Sequence, residues 1–220
     1  MEFLVKIFDI FLHLDVYMGQ ILTDYGTWTY SILFVVIFLE TGFVVTPFLP
    51  GDSLIFAAGT FAALGALNPI ILGVILIIAA ILGDTANYWI GHAIGDKVFS
   101  SDIKWINKEY IYRTQSFFEK HGGKTIFLAR FVPIIRTFAP FVSGVGKMKY
   151  SHFISYNILG GITWVTLFLS MGYFFGNISF IKNNFSVVIL AIIFISLVPA
   201  GIEAIKSRRK KNLEVTETKE

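Results

Sequence analysis

Cysteine is absent from the 220 residues, which excludes disulfides, thiolate catalysis and zinc-thiolate centres. Charge is scarce: Asp, Glu, Lys and Arg together make up 15% of the chain against 55% hydrophobic residues. None of those four occurs from Tyr150 to Ile181. A helix there has no polar face for water, and with a mean hydropathy of +0.70 the chain reads as an integral membrane protein. A cleavable signal is not expected at the start, because Glu2, Lys6, Asp9 and Asp15 interrupt the apolar run. The net charge of +3 comes from the tail, where residues 206–220 hold six Lys/Arg and three Asp/Glu. That argues for a short basic anchor and against a nucleic-acid surface, which needs basic residues clustered on a fold. Motifs of enzymes are missing too: no Ser-His-Asp spacing, HExxH, P-loop or Gly-x-Gly-x-x-Gly occurs, and no histidine adjoins Arg130 or Arg136. No enzyme activity, cofactor or metal site is therefore expected.

What is present is a series of apolar stretches, two of them broken. Residues 1–24 predict an interfacial amphipathic helix, with Glu2, Lys6, Asp9 and His13 on one face. From Trp28 to Phe48 the only charge is Glu40; Pro47, Pro50 and Gly51 then precede a return piece, Leu54–Leu67, short for a bilayer that needs about 20 residues. This predicts a re-entrant hairpin over 28–67. A span over 69–92 follows, carrying Asp84, and then a charged surface helix over 96–124. The second broken stretch, 123–148, contains Arg130, Pro133, Arg136 and Pro140 and predicts a second hairpin. Spans over 151–176 and 184–205 and the basic tail complete the chain. The fold class expected is all-α: opposed re-entrant hairpins in an inverted repeat, with spanning and amphipathic surface helices. The membrane domain is placed at 25–205.

Orientation follows from the positive-inside rule. With the tail in the cytoplasm, 14 of the 18 Lys/Arg fall on that side, Lys6 and Lys182 fall outside, and Arg130 and Arg136 lie in the membrane.

Ionisable groups inside the membrane carry the functional signal, since each costs about 2.5–3.5 kcal/mol at the bilayer centre. Glu40 and Asp52 flank the first break, Arg130 and Arg136 the second. The alternative to a functional site is an ion-pair lock that holds the hairpins together. Asp52, in Pro-Gly-Asp-Ser, also suits a helix cap, whereas Glu40 lies in an apolar run without a capping role and is the better proton-coupling candidate. Arg130 and Arg136 would face opposite ways on a continuous helix. A break at Pro133 converges them, and two planar guanidinium forks suit a phosphate. Asp84, Tyr88 and His92 share one helical face with Gly83, Gly91 and Gly95 close by, so Asp84 and His92 form either an accessory proton path or, for Asp84, an interhelical hydrogen bond in a glycine-packed seam. Pro47, Pro50, Gly51, Pro133 and Pro140 are the expected hinge positions. The tryptophans, Trp28, Trp89, Trp105 and Trp164, are expected near segment ends.

Three segments, FLETGFVVTPFLPGDSLIFAAGTFA (38–62), GDTANYWIGHAIG (83–95) and EKHGGKTIFLARFVPIIRTFAPFVSGVGKM (119–148), resemble the DedA family of bacterial membrane proteins. The resemblance covers roughly residues 20–205. It implies opposed re-entrant hairpins related to the VTT-domain scramblase fold, location in the bacterial cytoplasmic membrane, and movement of lipids between leaflets. The substrates implied are undecaprenyl phosphate or, for other members, phosphatidylethanolamine, with dependence on the proton-motive force. The family's acidic pair falls on Glu40 and Asp52 and its arginine pair on Arg130 and Arg136. His92 departs from the arginine that relatives often carry after the glycine. Expected partners are thus membrane lipids, through a polyprenyl phosphate or phospholipid headgroup, and protons. A proton- or cation-coupled antiporter without a lipid substrate is the alternative from another class, and a homo-oligomer is compatible with the sequence.

Overall fold

The computed structural model describes residues 14–43, 51–100 and 122–176, with isolated positions between 178 and 191. Among the described residues the structure is helical, with no strand. Helix α1 (Leu14–Tyr25) passes through a 3-10 turn, Gly26–Trp28, into α2 (Thr29–Gly42). After the first break come α3 (Gly51–Ala63) and α4 (Pro69–Ser100), and then α5 (Lys124–Ala129), α6 (Pro133–Val145) and α7 (Tyr150–Phe175). Pro47, Pro50, residues 1–13, most of the surface helix and of the span expected over 184–205, and the tail lie outside the described residues.

Local chemistry sets these boundaries. Asn68 caps α4, its Oδ1 accepting from the N–H groups of Ile70 and Ile71 at 3.0 and 3.1 Å, while Pro69 opens the first turn. Once started, α4 continues past the expected end at His92 to Ser100, so residues 96–100 belong to it and not to a separate surface helix. Val132 is extended at φ −120°, as the residue before a proline prefers, and separates α5 from α6. Pro140 is no hinge: α6 continues through it to Val145, giving up one backbone hydrogen bond.

Three stretches, Val16–Gly42, Pro69–Gly95 and Tyr150–Phe175, are long and apolar enough to cross a membrane. The first joins residues 16–24, expected at the interface, to the start of the first broken stretch. On α4 the side chains of Ile71, Val74, Ile78 and Leu82 form an exposed apolar stripe, while Leu72, Leu76, Ala79 and Ala80 are buried. Such a stripe is a liability in water and the natural outer surface in hydrocarbon.

Glycines bring the helices together. A Cβ on Gly59 or Gly172 would lie 2.4 or 2.0 Å from a carbonyl oxygen across the α3–α7 seam. On Gly91 or Gly144 it would lie 2.1 or 2.0 Å from one across the α4–α6 seam. Gly83 admits Thr41 and the Phe38 carbonyl of α2. The reading of Gly83 and Gly91 as packing positions agrees with these contacts. The outcome is that α4 and α7 each carry a short helix that begins at a break, α6 and α3 respectively.

Candidate functional site: a buried ion-pair cluster

The two breaks end at one place. Glu40 lies in the last turn of α2 and Asp52 in the first turn of α3; Arg130 directly follows α5 and Arg136 stands in the first turn of α6. The extended Val132 turns the chain between the arginines, so residues six apart in sequence face one volume.

Arg136 donates from Nη2 to Glu40 Oε1 at 2.6 Å and from Nη1 to Asp52 Oδ1 at 2.5 Å. Arg130 Nη2 donates to Asp84 Oδ2 and, at 2.5 Å, to Asn157 Oδ1. None of the five charged residues is more than 8% exposed, so none has water to fall back on. Charges desolvated this far persist only when paired and hydrogen-bonded.

The pairing differs from the expected two-against-two. Asp84 joins the cluster as the partner of Arg130, which leaves Arg136 to both hairpin acids. Two guanidiniums thus face three carboxylates, a formal surplus of one negative charge. Glu40 also differs from expectation, for it does meet a helix start: the Gly51 N–H donates to its Oε1 at 3.2 Å. That contact crosses the break, and no local pattern announces it. Glycine leaves room for it: a Cβ at position 51 would stand 1.9 Å from Glu40 Oε2 and the carboxylate would have to shift. Asp52, the expected cap, turns to Arg136 and to α7.

Trp164 and Asn157, both on α7, escaped the sequence reading. Trp164 is wholly buried at mid-length of the helix, not at a segment end. Its ring centroid lies 4.9 Å from Arg136 Cζ and 5.7 Å from Arg130 Cζ, and its Nε1 donates to Asp52 Oδ1 at 2.8 Å. Asn157 also donates from Nδ2 to the Ile81 carbonyl at 3.1 Å, tying α7 to α4. Their spacing of seven places both on one helical face, and an amide inside an uncharged run is the signal that could have found them. Asn87 was missed as well; its Nδ2 bridges the carbonyls of Thr41 and Thr137, at 3.2 and 2.7 Å, from the two broken segments.

His92 sits elsewhere. It lies about 12 Å along α4 from Asp84, at 1.5 Å per residue. There its ring meets Tyr88 and Trp89, with centroids 6.1 and 5.4 Å apart. Tyr88, between Asp84 and His92, donates its hydroxyl to the Met148 carbonyl. Among the described residues no group of His, Asp and Glu is arranged to hold a metal ion.

Residues 49–174 match the VTT domain, a stretch that holds Asp52, Asp84, Arg130, Arg136, Asn157 and Trp164 and stops short only of Glu40. The chain belongs to the DedA family. Within that family it is 50% identical over 212 residues to Protein DedA of Escherichia coli (strain K12), covering 95% of this chain and 97% of that protein. It is 41% identical over 183 residues to the membrane protein Rv0364 of Mycobacterium tuberculosis (strain ATCC 25618 / H37Rv), covering 81% and 80%. The inner membrane protein YghB of Escherichia coli (strain K12) is 32% identical over 176 residues, covering 79% and 80%. No solved structure matches the chain. Membership makes this DedA-family chain a membrane protein, in accord with its apolar helices.

Proposed function

We propose that this protein is a non-enzymatic transporter that moves a phosphate-bearing lipid between leaflets of the bacterial cytoplasmic membrane, with Arg130 and Arg136 as headgroup ligands. The supporting observation is the pair of buried guanidiniums brought together at the joint of two broken segments. Each keeps an N–H, Arg130 Nη1 and Arg136 Nε, without a hydrogen-bond partner among the described residues. Undecaprenyl phosphate is the substrate the family resemblance points to, its prenyl chain remaining in hydrocarbon while the phosphate is held.

The charge balance supports coupling to protons. With all three carboxylates ionised the cluster repels an anion; protons on the carboxylates free the guanidiniums and remove the competing charge. Phosphate and proton binding then favour one another, which is reciprocal coupling. The N-terminus of α6, beside Arg136, would add favourable backbone dipoles for a phosphate.

An opposed pair of re-entrant hairpins in an inverted repeat accommodates this activity, because it lets one central site open to either face. The exchange of partners supports that architecture: α3, which follows the first break, packs on α7, and α6, which follows the second, packs on α4. With the basic tail in the cytoplasm the hairpins enter from opposite sides. A second reading, phosphatidylethanolamine transport, draws support from the surplus carboxylate, which suits a headgroup that carries an ammonium beside its phosphate.

Proteoliposomes with and without a pH gradient, following leaflet exposure of undecaprenyl phosphate and of phosphatidylethanolamine, test the proposal. Gradient-dependent movement of undecaprenyl phosphate is expected. Movement of phosphatidylethanolamine alone favours the second reading. Proton or cation flux with neither lipid moving overturns both and leaves an antiporter.

A further inference from the structure

Membrane tryptophans gather at the interfaces, yet Trp164 is buried at mid-helix among charges. Both guanidiniums lie within cation–π range of its one ring. Its N–H gives a second donor to Asp52 Oδ1, which already accepts from Arg136. Protonating Asp52 would weaken both charge-assisted bonds. Glu40 Oε1 also accepts twice, from Arg136 and the Gly51 N–H, but Glu40 and Asp84 each have room for a proton on the other oxygen. Each has one buried oxygen, Oε2 and Oδ1 respectively, with no hydrogen-bond partner among the described residues, so a proton can settle there without displacing a donor.

We propose that Trp164 is the positioning residue of the site: its ring seats both guanidiniums and its N–H keeps Asp52 as the standing counter-ion of Arg136, so that an arriving phosphate displaces, and protons neutralise, Glu40 and Asp84. The phosphate half rests on the lipid-phosphate reading; the division of labour among the carboxylates does not. The charged groups facing these carboxylates are Arg136 at the start of α6, Arg130 after α5, and one another from α2, α3 and α4. From α7 come Asn157 and Trp164, neither of which titrates, and α7 carries no Asp, Glu, Lys or Arg.

The test uses the full chain reconstituted in liposomes, with Trp164→Phe and Trp164→Leu. Phenylalanine keeps a ring and loses the N–H. It should raise the KM for undecaprenyl phosphate only about twofold, its ring being the weaker cation–π partner, while altering the pH profile of transport, as Asp52 joins the titrating set. Leucine loses the ring too and should also raise the KM by about tenfold, the scale of a desolvated cation–π contact. Equal effects of the two variants on both readouts, or no effect of either, would make Trp164 packing filler and overturn the proposal. Should these variants not fold, a chain carrying Trp28→Phe, Trp89→Phe and Trp105→Phe keeps Trp164 as its one tryptophan, which can be excited without the tyrosines. Its emission should shift with pH and on adding farnesyl phosphate, and not on adding farnesol. A response to pH alone upholds the placement of Trp164 against the carboxylates and counts against the phosphate reading. No response to either overturns the inference.

Discussion

Glu40 joins the two broken segments through one oxygen, accepting from the Gly51 N–H that opens α3 and from Arg136 in the first turn of α6. Glutamine at this position keeps that oxygen and removes the charge. Glu40→Gln should therefore fold, since Arg136 retains Asp52 and avoids the about 3–5 kcal/mol that a buried charge stripped of its partner costs. Its lipid transport should depend less on a pH gradient than the parent's, since Asp84 still takes up a proton, as measured in proteoliposomes. Full gradient dependence in Glu40→Gln would move the coupling proton to Asp84. The identity of the four charges at the breaks was legible in the sequence because a charge in an apolar run is costly and must have a reason. Their pairing was not. Which carboxylate meets which arginine depends on helix packing across some 46 to 96 positions of chain, and no local pattern carries that information. Trp164 was misplaced for a related reason: the rule that sends tryptophan to the interface is a rule about lipid contact, and α7 turns this one inward.

At the scale of the elements, the seams are set by backbone approaching backbone. Gly144 has the Tyr88 carbonyl 2.0 Å from where its Cβ would stand, and no flexible side chain can yield there. Gly144→Ala should separate α6 from α4 and lower stability by about 1–3 kcal/mol, as overpacking does. It would also draw Arg136 away from its acids. Gly19→Ala is the control, because its Cβ would meet only Phe61, at 3.9 Å. There the lower backbone entropy of alanine should leave stability unchanged or raise it by up to about 1 kcal/mol. Thermal unfolding of the detergent-solubilised protein separates the two; equal losses would mean that the close α4–α6 seam does not govern stability. The second break was readable from Pro133, and the first falls between α2, which ends at Gly42, and α3, which starts at Gly51, whereas Pro140 lies inside α6, since a proline ends a helix only where packing does not hold the next turn in place.

For the whole molecule, membrane residence followed from composition, because a chain with so few charges cannot cover its helices with polar faces; the helices expected from its apolar stretches are those found among the described residues. Orientation rests on the asymmetry of Lys and Arg. The lack of native cysteine makes it directly measurable. In intact cells, Lys108→Cys and Lys210→Cys should be shielded from an impermeant thiol reagent, while Lys182→Cys should label. Labelling at position 108 from outside would contradict the span count and with it the opposed hairpins.

In the proposed transporter two guanidiniums, and not merely two positive charges, hold the phosphate. A lysine offers a point charge without the planar fork. The direct measurement is the rate at which reconstituted protein moves undecaprenyl phosphate, compared among the parent, Arg130→Lys and Arg136→Lys at equal amounts of inserted protein. The expected result is a loss of about tenfold or more in each variant, the cost of a charge-assisted hydrogen bond or two. Normal rates in both lysine variants would contradict the headgroup role and reduce the arginines to the ion-pair lock that their burial alone would also explain.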